Sequence, residues 1–337
     1  MINPTARRGL WLLPTLLLAG CNGVVLNPSG DIAAQQAHLV VVSTLLMLLI
    51  IVPVIFLIIL FAWRYRKGSN AKYTPDWDHS TGLELIIWGA PLLIIIALGL
   101  LTWISTHILD PYRPISRIDE NRAVSAATKP LVVDVVALDW KWLFIYPDLG
   151  IATVNELAAP VDTPIQFKIT ASTVMNAFYI PALAGQIYAM PGMETQLHAV
   201  INKTGIYDGF SSNFSGPGFS DMRFKFHGLS NDDFDKWVAN TKASGVSLDR
   251  PGYQQLEKPS IKAPIAHYGT VAAGLYDAIL NRCVDLNAVC INKMMMDDAH
   301  HATAGMTKPM PKDEPARRLA DASGEMCVTP ATSKKKQ

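Results

Sequence analysis

The chain has 337 residues, 50% of them hydrophobic and 17% charged, with a net charge of +1. Charge falls below the ~25% of ordinary soluble proteins, and so small a net charge supplies no global field for nucleic-acid binding. The apolar excess lies before residue 110, ahead of a region that reads as one globular domain with a polar tail.

Residues 1–20 read as a lipoprotein signal peptide. Arg7 and Arg8 form its charged start and Leu10–Ala19 its apolar core. The core ends in Leu18-Ala19-Gly20-Cys21, a bacterial lipobox pattern that predicts acylation of Cys21 and anchoring on the outer leaflet. Within 21–110, two uncharged apolar runs follow, at about 39–63 and 85–109. A hydrocarbon core of ~30 Å needs ~20 such residues in a helix, so each run predicts a membrane span. Pro53 and Pro91 sit inside them, which membrane helices tolerate. The loop 64–82 carries Arg64, Arg66, Lys67 and Lys72, so it is predicted to be cytoplasmic. Both flanks then lie outside, in agreement with an exported Cys21. Glu84 falls at the cytoplasmic start of the second span, where a carboxylate caps a helix N-terminus favourably.

Residues 111–230 begin with a polar connector and continue as short β-rich runs: Leu131–Leu138, Trp142–Tyr146, Pro164–Thr170, Glu194–Ile201 and Met222–His227. Glycine and proline punctuate them, which predicts a sandwich or barrel. Trp140 and Trp142 are read as alternating on one strand and facing one side. Residues 231–296 are read as a helical extension, with one helix over Asn231–Ala243 and another over Leu275–Met296. The second would hold Cys283 and Cys290 about 10 Å apart by helix rise, so a disulfide between them requires the helix to break. Cys327 offers a further partner, and the connectivity stays open. Residues 297–337 read as a disordered tail. The Met/His-rich stretch around Met294–Met296, His300 and His301 is assigned to it rather than to a copper(I) site.

Three segments occur in a telling order: Val174–Pro181 (VMNAFYIP), Ala189–Gly192 (AMPG) and Ser211–Met222 (SSNFSGPGFSDM). Together, behind two spans, they resemble subunit II of the heme-copper oxidases, whose loop C-x-E-x-C-x-x-x-H-x-x-M, with a histidine from the earlier segment, holds a dinuclear copper centre. On that frame the ligand positions are Asn176, Ser211, Asn213, Ser215, Phe219 and Met222. Only the methionine survives, and Met193 stands where the family has an arginine. Copper sites of this kind require thiolate and imidazole, so the resemblance is to the branch that oxidises ubiquinol. His198 and His227 lie off the frame and are read as ordinary histidines.

The resemblance implies a two-helix transmembrane hairpin followed by a periplasmic cupredoxin-like Greek-key β-sandwich, in a bacterial inner membrane. It implies a complex with subunits I, III and IV, in which subunit I carries two hemes and one copper and oxidises ubiquinol. This chain would bind no cofactor and no cytochrome c. The copper-bearing branch has a tryptophan pair in a similar place for electron entry, but with no copper to reduce Trp140 and Trp142 are read as packing against subunit I. Glu84 would lie at the mouth of a proton pathway. Two alternatives are weaker: a copper-bearing cytochrome c oxidase subunit, whose ligands are missing, and a non-enzymatic membrane lipoprotein that binds a periplasmic partner.

Overall fold

A computed structural model describes residues 23–69, 72, 76–125 and 128–306. The expected signal peptide, the lipidated Cys21, Cys327 and the tail beyond Met306 lie outside these residues.

The two apolar runs form helices α1 (Asp31–Arg64) and α2 (Thr81–Ile108), each with its proline inside it. Both are long and apolar enough to cross a membrane, and their most apolar stretches have no protein cover. Leaving one Leu or Ile in water forgoes roughly 1.5–3 kcal/mol, so surfaces this large belong in lipid or against another chain. Helix α1 starts eight residues before the apolar run that predicts it. Its first two turns are held by the globular region instead: Asp31, Ala33 and Ala37 are buried there. The preceding backbone is fixed by Ser29 N and Gly30 N, which donate to Ala182 O at 3.0 and 2.9 Å. Gly30 passes so close that a Cβ would lie 2.6 Å from Val200 O.

The globular region is a sandwich of two sheets. Its strands are β1 (Leu131–Leu138), β2 (Lys141–Tyr146), β3 (Ile151–Val154), β4 (Glu156–Pro160), β5 (Ile165–Ala171), β6 (Asn176–Tyr179), β7 (Ile187–Ala189), β8 (Thr195–Ala199), β9 (Gly205–Ser211) and β10 (Arg223–Leu229). After helices α3 (Asn231–Lys242) and α4 (Arg250–Glu257), with β11 (Ser247–Leu248) between them, come β12 (Ala266–Tyr268), β13 (Thr270–Val271) and α5 (Leu275–Leu280). One sheet has the order β8-β5-β1-β2-β3-β12 and the other β4-β10-β9-β6-β7. Most pairs are antiparallel, but β1 runs parallel to β5 and β4 parallel to β10.

Alternation sets the core. Val133, Val135 and Ala137 of β1 face the partner sheet, together with Trp142, Phe144, Phe178 and Phe224. Val136 and Leu138 face outward and are covered by the C-terminal extension through Tyr253, Leu275 and Ile279. Tyr146 crosses between the sheets, its hydroxyl donating to Ala158 O (2.8 Å) and accepting from Ala158 N (2.9 Å).

Three expectations need correction. The extension is not simply helical, because β12 joins the first sheet beside β3 and β13 pairs with β11. The helix expected over Leu275–Met296 is two helices, α5 and α6 (Ile291–Met306), parted by a loop. Cys283 and Cys290 both lie in that loop, and both are disulfide-bonded. The tail expected from 297 onward begins inside α6.

Candidate functional site

The loop Ser211–Met222 joins β9 to β10 at the end of the second sheet, beside the start of β6. Asn176 and Ser211 come together as the frame requires, on neighbouring antiparallel strands, and both are buried. Ser211 Oγ lies 3.1 Å from Asn176 Oδ1 and 3.2 Å from Asn213 O, one of which takes its proton. The same oxygen accepts from Ala177 N at 3.4 Å. Asn176 Nδ2 donates to Val174 O and Asn213 Nδ2 to Met175 O, each at 3.1 Å. A short polar net therefore ties the loop to the segment before β6.

The other half of the loop rests on Trp140. The expectation that Trp140 and Trp142 share one strand face fails. Leu138 pairs with Lys141, so Trp140 occupies the two-residue turn between β1 and β2, with φ of 64°. Trp142 is fully buried in the core. A bulky residue in the left-handed region costs on the order of 1–3 kcal/mol, and here the conformation turns the indole beneath the loop. Trp140 Nε1 donates to Ser215 O at 3.1 Å. Gly218 lies flat on the ring; a Cβ there would be 2.4 Å from Trp140 Cγ. Gly216, at φ +111°, makes the turn that brings the backbone down.

The remaining frame positions are also engaged as ordinary protein groups. Phe219 begins a single 3-10 turn, and its ring meets Phe214 edge-on at 5.6 Å. Met222 has no exposure and packs in the core. Ser215 Oγ is buried without a hydrogen-bond partner, an arrangement that costs about 1–3 kcal/mol. The donor set of two serines, two asparagines, a phenyl ring and one thioether does not fit a dinuclear copper centre, which needs soft thiolate and imidazole ligands. His198 and His227 are held elsewhere. His198 Nδ1 lies 3.1 Å from Pro111 O, and His227 Nε2 lies 3.3 Å from Glu156 Oε1.

Glu84 stands in the first turn of α2, where its carboxylate complements the helix N-terminus. The structure adds a partner: His79 Nδ1 lies 2.8 Å from Glu84 Oε1, and Thr81 Oγ1 lies 3.3 Å from His79 Nε2. A neutral His79 satisfies both contacts by donating to Glu84 and accepting from Thr81. His79 lies in the segment before the helix, where no periodicity marks it.

A second missed centre is Glu156, at the start of β4. Its carboxylate receives Trp237 Nε1 at 3.2 Å and lies 2.6 Å from His267 Nε2. With His227 this gathers α3, β10 and β12 around one acid, tying the extension to the sandwich.

A cupredoxin-like sandwich behind two transmembrane helices, with a β9–β10 loop in the copper frame, defines the subunit II class of heme-copper oxidases. Residues 149–227 match the family model for cytochrome c oxidase subunit II, periplasmic domain, and residues 242–287 match the COX aromatic rich motif. The chain is 49% identical over 276 residues to cytochrome bo(3) ubiquinol oxidase subunit 2 of Pseudomonas putida, covering 82% of this chain and 85% of that one. It is 47% identical over 270 residues to ubiquinol oxidase subunit 2 of Acetobacter aceti, covering 80% and 85%. Among solved structures it is similar to the periplasmic domain of subunit II of cytochrome oxidase from Bradyrhizobium japonicum, at 24% identity and a TM-score of 0.34, covering 36% of this chain and 99% of that one. The chain belongs to the ubiquinol oxidase subunit 2 family.

Proposed function

We propose that this chain is a supporting subunit of a proton-translocating ubiquinol oxidase in the bacterial inner membrane, with no redox centre of its own. The observation that carries this reading is the loop. The positions that would hold copper carry Ser211, Asn213, Ser215, Asn176 and Phe219, and a hydrogen-bonded net with an indole platform gives the loop its shape. On this reading they are vestigial copper-site positions. Electrons then reach the oxygen-reducing centre from ubiquinol through subunit I, whose two hemes and copper do the chemistry, and cytochrome c is not a donor.

The chain's own work is structural and protonic. Its sandwich covers subunit I on the periplasmic side, with subunits III and IV completing the complex. The exposed Phe214, Val174 and Met175, linked by the contact of Asn213 with Met175, supply an apolar surface for such packing. Cys21, when acylated, adds an outer-leaflet anchor. Glu84, oriented by His79, sits at the cytoplasmic mouth of a proton pathway into subunit I.

The test is to purify the intact complex, assay oxygen consumption with ubiquinol and with reduced cytochrome c, and count copper. Turnover with ubiquinol alone, at one copper per complex, is expected. Turnover with cytochrome c and additional copper in this chain would overturn the reading.

A further inference from the structure

Two cavities follow one another down the outer end of the helix pair. The upper one, about 390 Å³, is lined by Gln36, Asp110, Arg113, Arg117, Gln186 and His198 among others. The lower one, about 320 Å³, is lined by Leu39, Leu101, Ile104 and Ile108 of the two helices and equally by polar residues, His38, Ser105 and Glu120 among them. They share Asp31, Gln35, Ile108, Leu109 and Arg117, so one molecule can run through both. From Asp31 to Leu39 an α-helix advances about 12 Å, enough to pass from the headgroup layer into hydrocarbon. The crevice is therefore mixed in character, and its polar share falls from the Arg113 end toward Leu101.

The polar end is built for phosphate. Arg117 uses Nε on Asp31 Oδ2 at 2.9 Å, and Gln35 Nε2 holds the same oxygen at 2.7 Å. That pair neutralises the buried Asp31 and fixes the guanidinium. Among the described residues, the terminal nitrogens of Arg117 donate no hydrogen bond beyond its Nε contact with Asp31, and the side chain of Arg113 has no hydrogen-bond or ion-pair partner. Guanidinium groups bind phosphate oxygens in a forked geometry that a lysine cannot match. Asp110 and Glu120 also border the crevice. Asp110 already accepts from Tyr112 N at 3.0 Å, and Glu120 can receive a headgroup amine.

We propose that this crevice binds one phospholipid of the outer leaflet, with its phosphate on Arg113 and Arg117 and an acyl chain between α1 and α2. The site rests on both helices crossing the membrane, not on the electron-transfer reading. It would make a lipid part of the joint between the spans and the sandwich, at the point where Asp31 is buried.

The test is native mass spectrometry of the intact complex after exhaustive detergent exchange, followed by titration with 1-palmitoyl-2-oleoyl-phosphatidylethanolamine. Arg113→Gln removes a phosphate partner, and Ile104→Trp fills the lower cavity from a position exposed on the helix surface. Neither touches the Asp31 pair, so assembly and thermal stability report folding independently. Wild type is expected to retain one phospholipid more than either variant, and each variant to rebind it at least ten-fold more weakly. An unchanged lipid count in either variant, or release of a quinone in place of a phospholipid, overturns the proposal. Ubiquinol oxidation measured on the same wild-type sample reports the proposed function separately.

Discussion

Asp134 is the clearest place to test the energetics of this fold. It lies in β1, 5% exposed, on the outward face covered by the extension. Burial pushes its carboxyl from 3.8 up to about 7; Lys168, its partner in register on β5, opposes this, and Glu194, Asp277 and Asp148 reinforce it. A folded value above the unfolded one means that the native protein keeps a proton the unfolded chain has released. Its contribution to stability is therefore whole below about pH 4, falls as pH rises, and is lost by about pH 7. At ~1.36 kcal/mol for each pH unit between the two values, ionisation costs roughly 4 kcal/mol. Asp134→Asn keeps the shape and removes the titration. The variant should match wild type near pH 4.5 and melt roughly 10 °C higher at pH 8. Differential scanning fluorimetry of the full complex between pH 4.5 and 8 gives the difference directly. A gap that stays constant with pH, or widens toward low pH, refutes the assignment of the cost to a buried carboxylate.

Other perturbations address the loop and the proton path. Gly218→Ala forces the loop off the Trp140 ring and should destabilise the chain by about 1–3 kcal/mol, read as a lower melting temperature. Trp140→Ala in the same chain should remove most of the additional penalty of Gly218→Ala. Asn155→Ala removes both the acceptor for Trp142 N (2.9 Å) and the donor to Ala263 O (2.8 Å) at a residue with φ of 56°, for a loss of roughly 2–4 kcal/mol in denaturant titration. Glu84→Ala should lower oxygen-reduction turnover in a complex that assembles normally, and unchanged turnover removes Glu84 from the pathway. A strong chelator added to the purified chain alone should leave its melting temperature unchanged, because side chains and the indole hold the loop.

The sequence made the helices legible because long uncharged runs have few other uses. It hid the start of α1, where Asp31 and Ala33 take their burial from the sandwich rather than from lipid. Leu131–Leu138 and Trp142–Tyr146 were readable as strands because β-branched and aromatic residues dominate them. Gly205–Ser211 was not, since its two glycines and Asp208 break the pattern while pairing with β10 makes it a central strand. Trp140 was misplaced for a simpler reason. Alternation assigns faces only within a strand, and whether a residue belongs to the strand or its turn depends on a register set by the partner. Glu156 was invisible because its partners come from three elements remote in sequence.

The same contrast explains what the loop can still do. A metal site would draw its shape from a few strong bonds at Asn176, Ser211 and Ser215. Here the shape comes from several weak ones, each net about 1 kcal/mol, and from a strained tryptophan under two glycines. The strain at Trp140 is worth sustaining only if the loop must keep its position, since relaxing φ would swing the indole away and leave Ser215 O without its donor. On the proposed reading, a loop held at that cost, with Phe214 at its tip 76% exposed, serves as a contact surface. On that reading, a loop without copper ligands carries no electron transfer and keeps the geometry with which the sandwich fits against its neighbour.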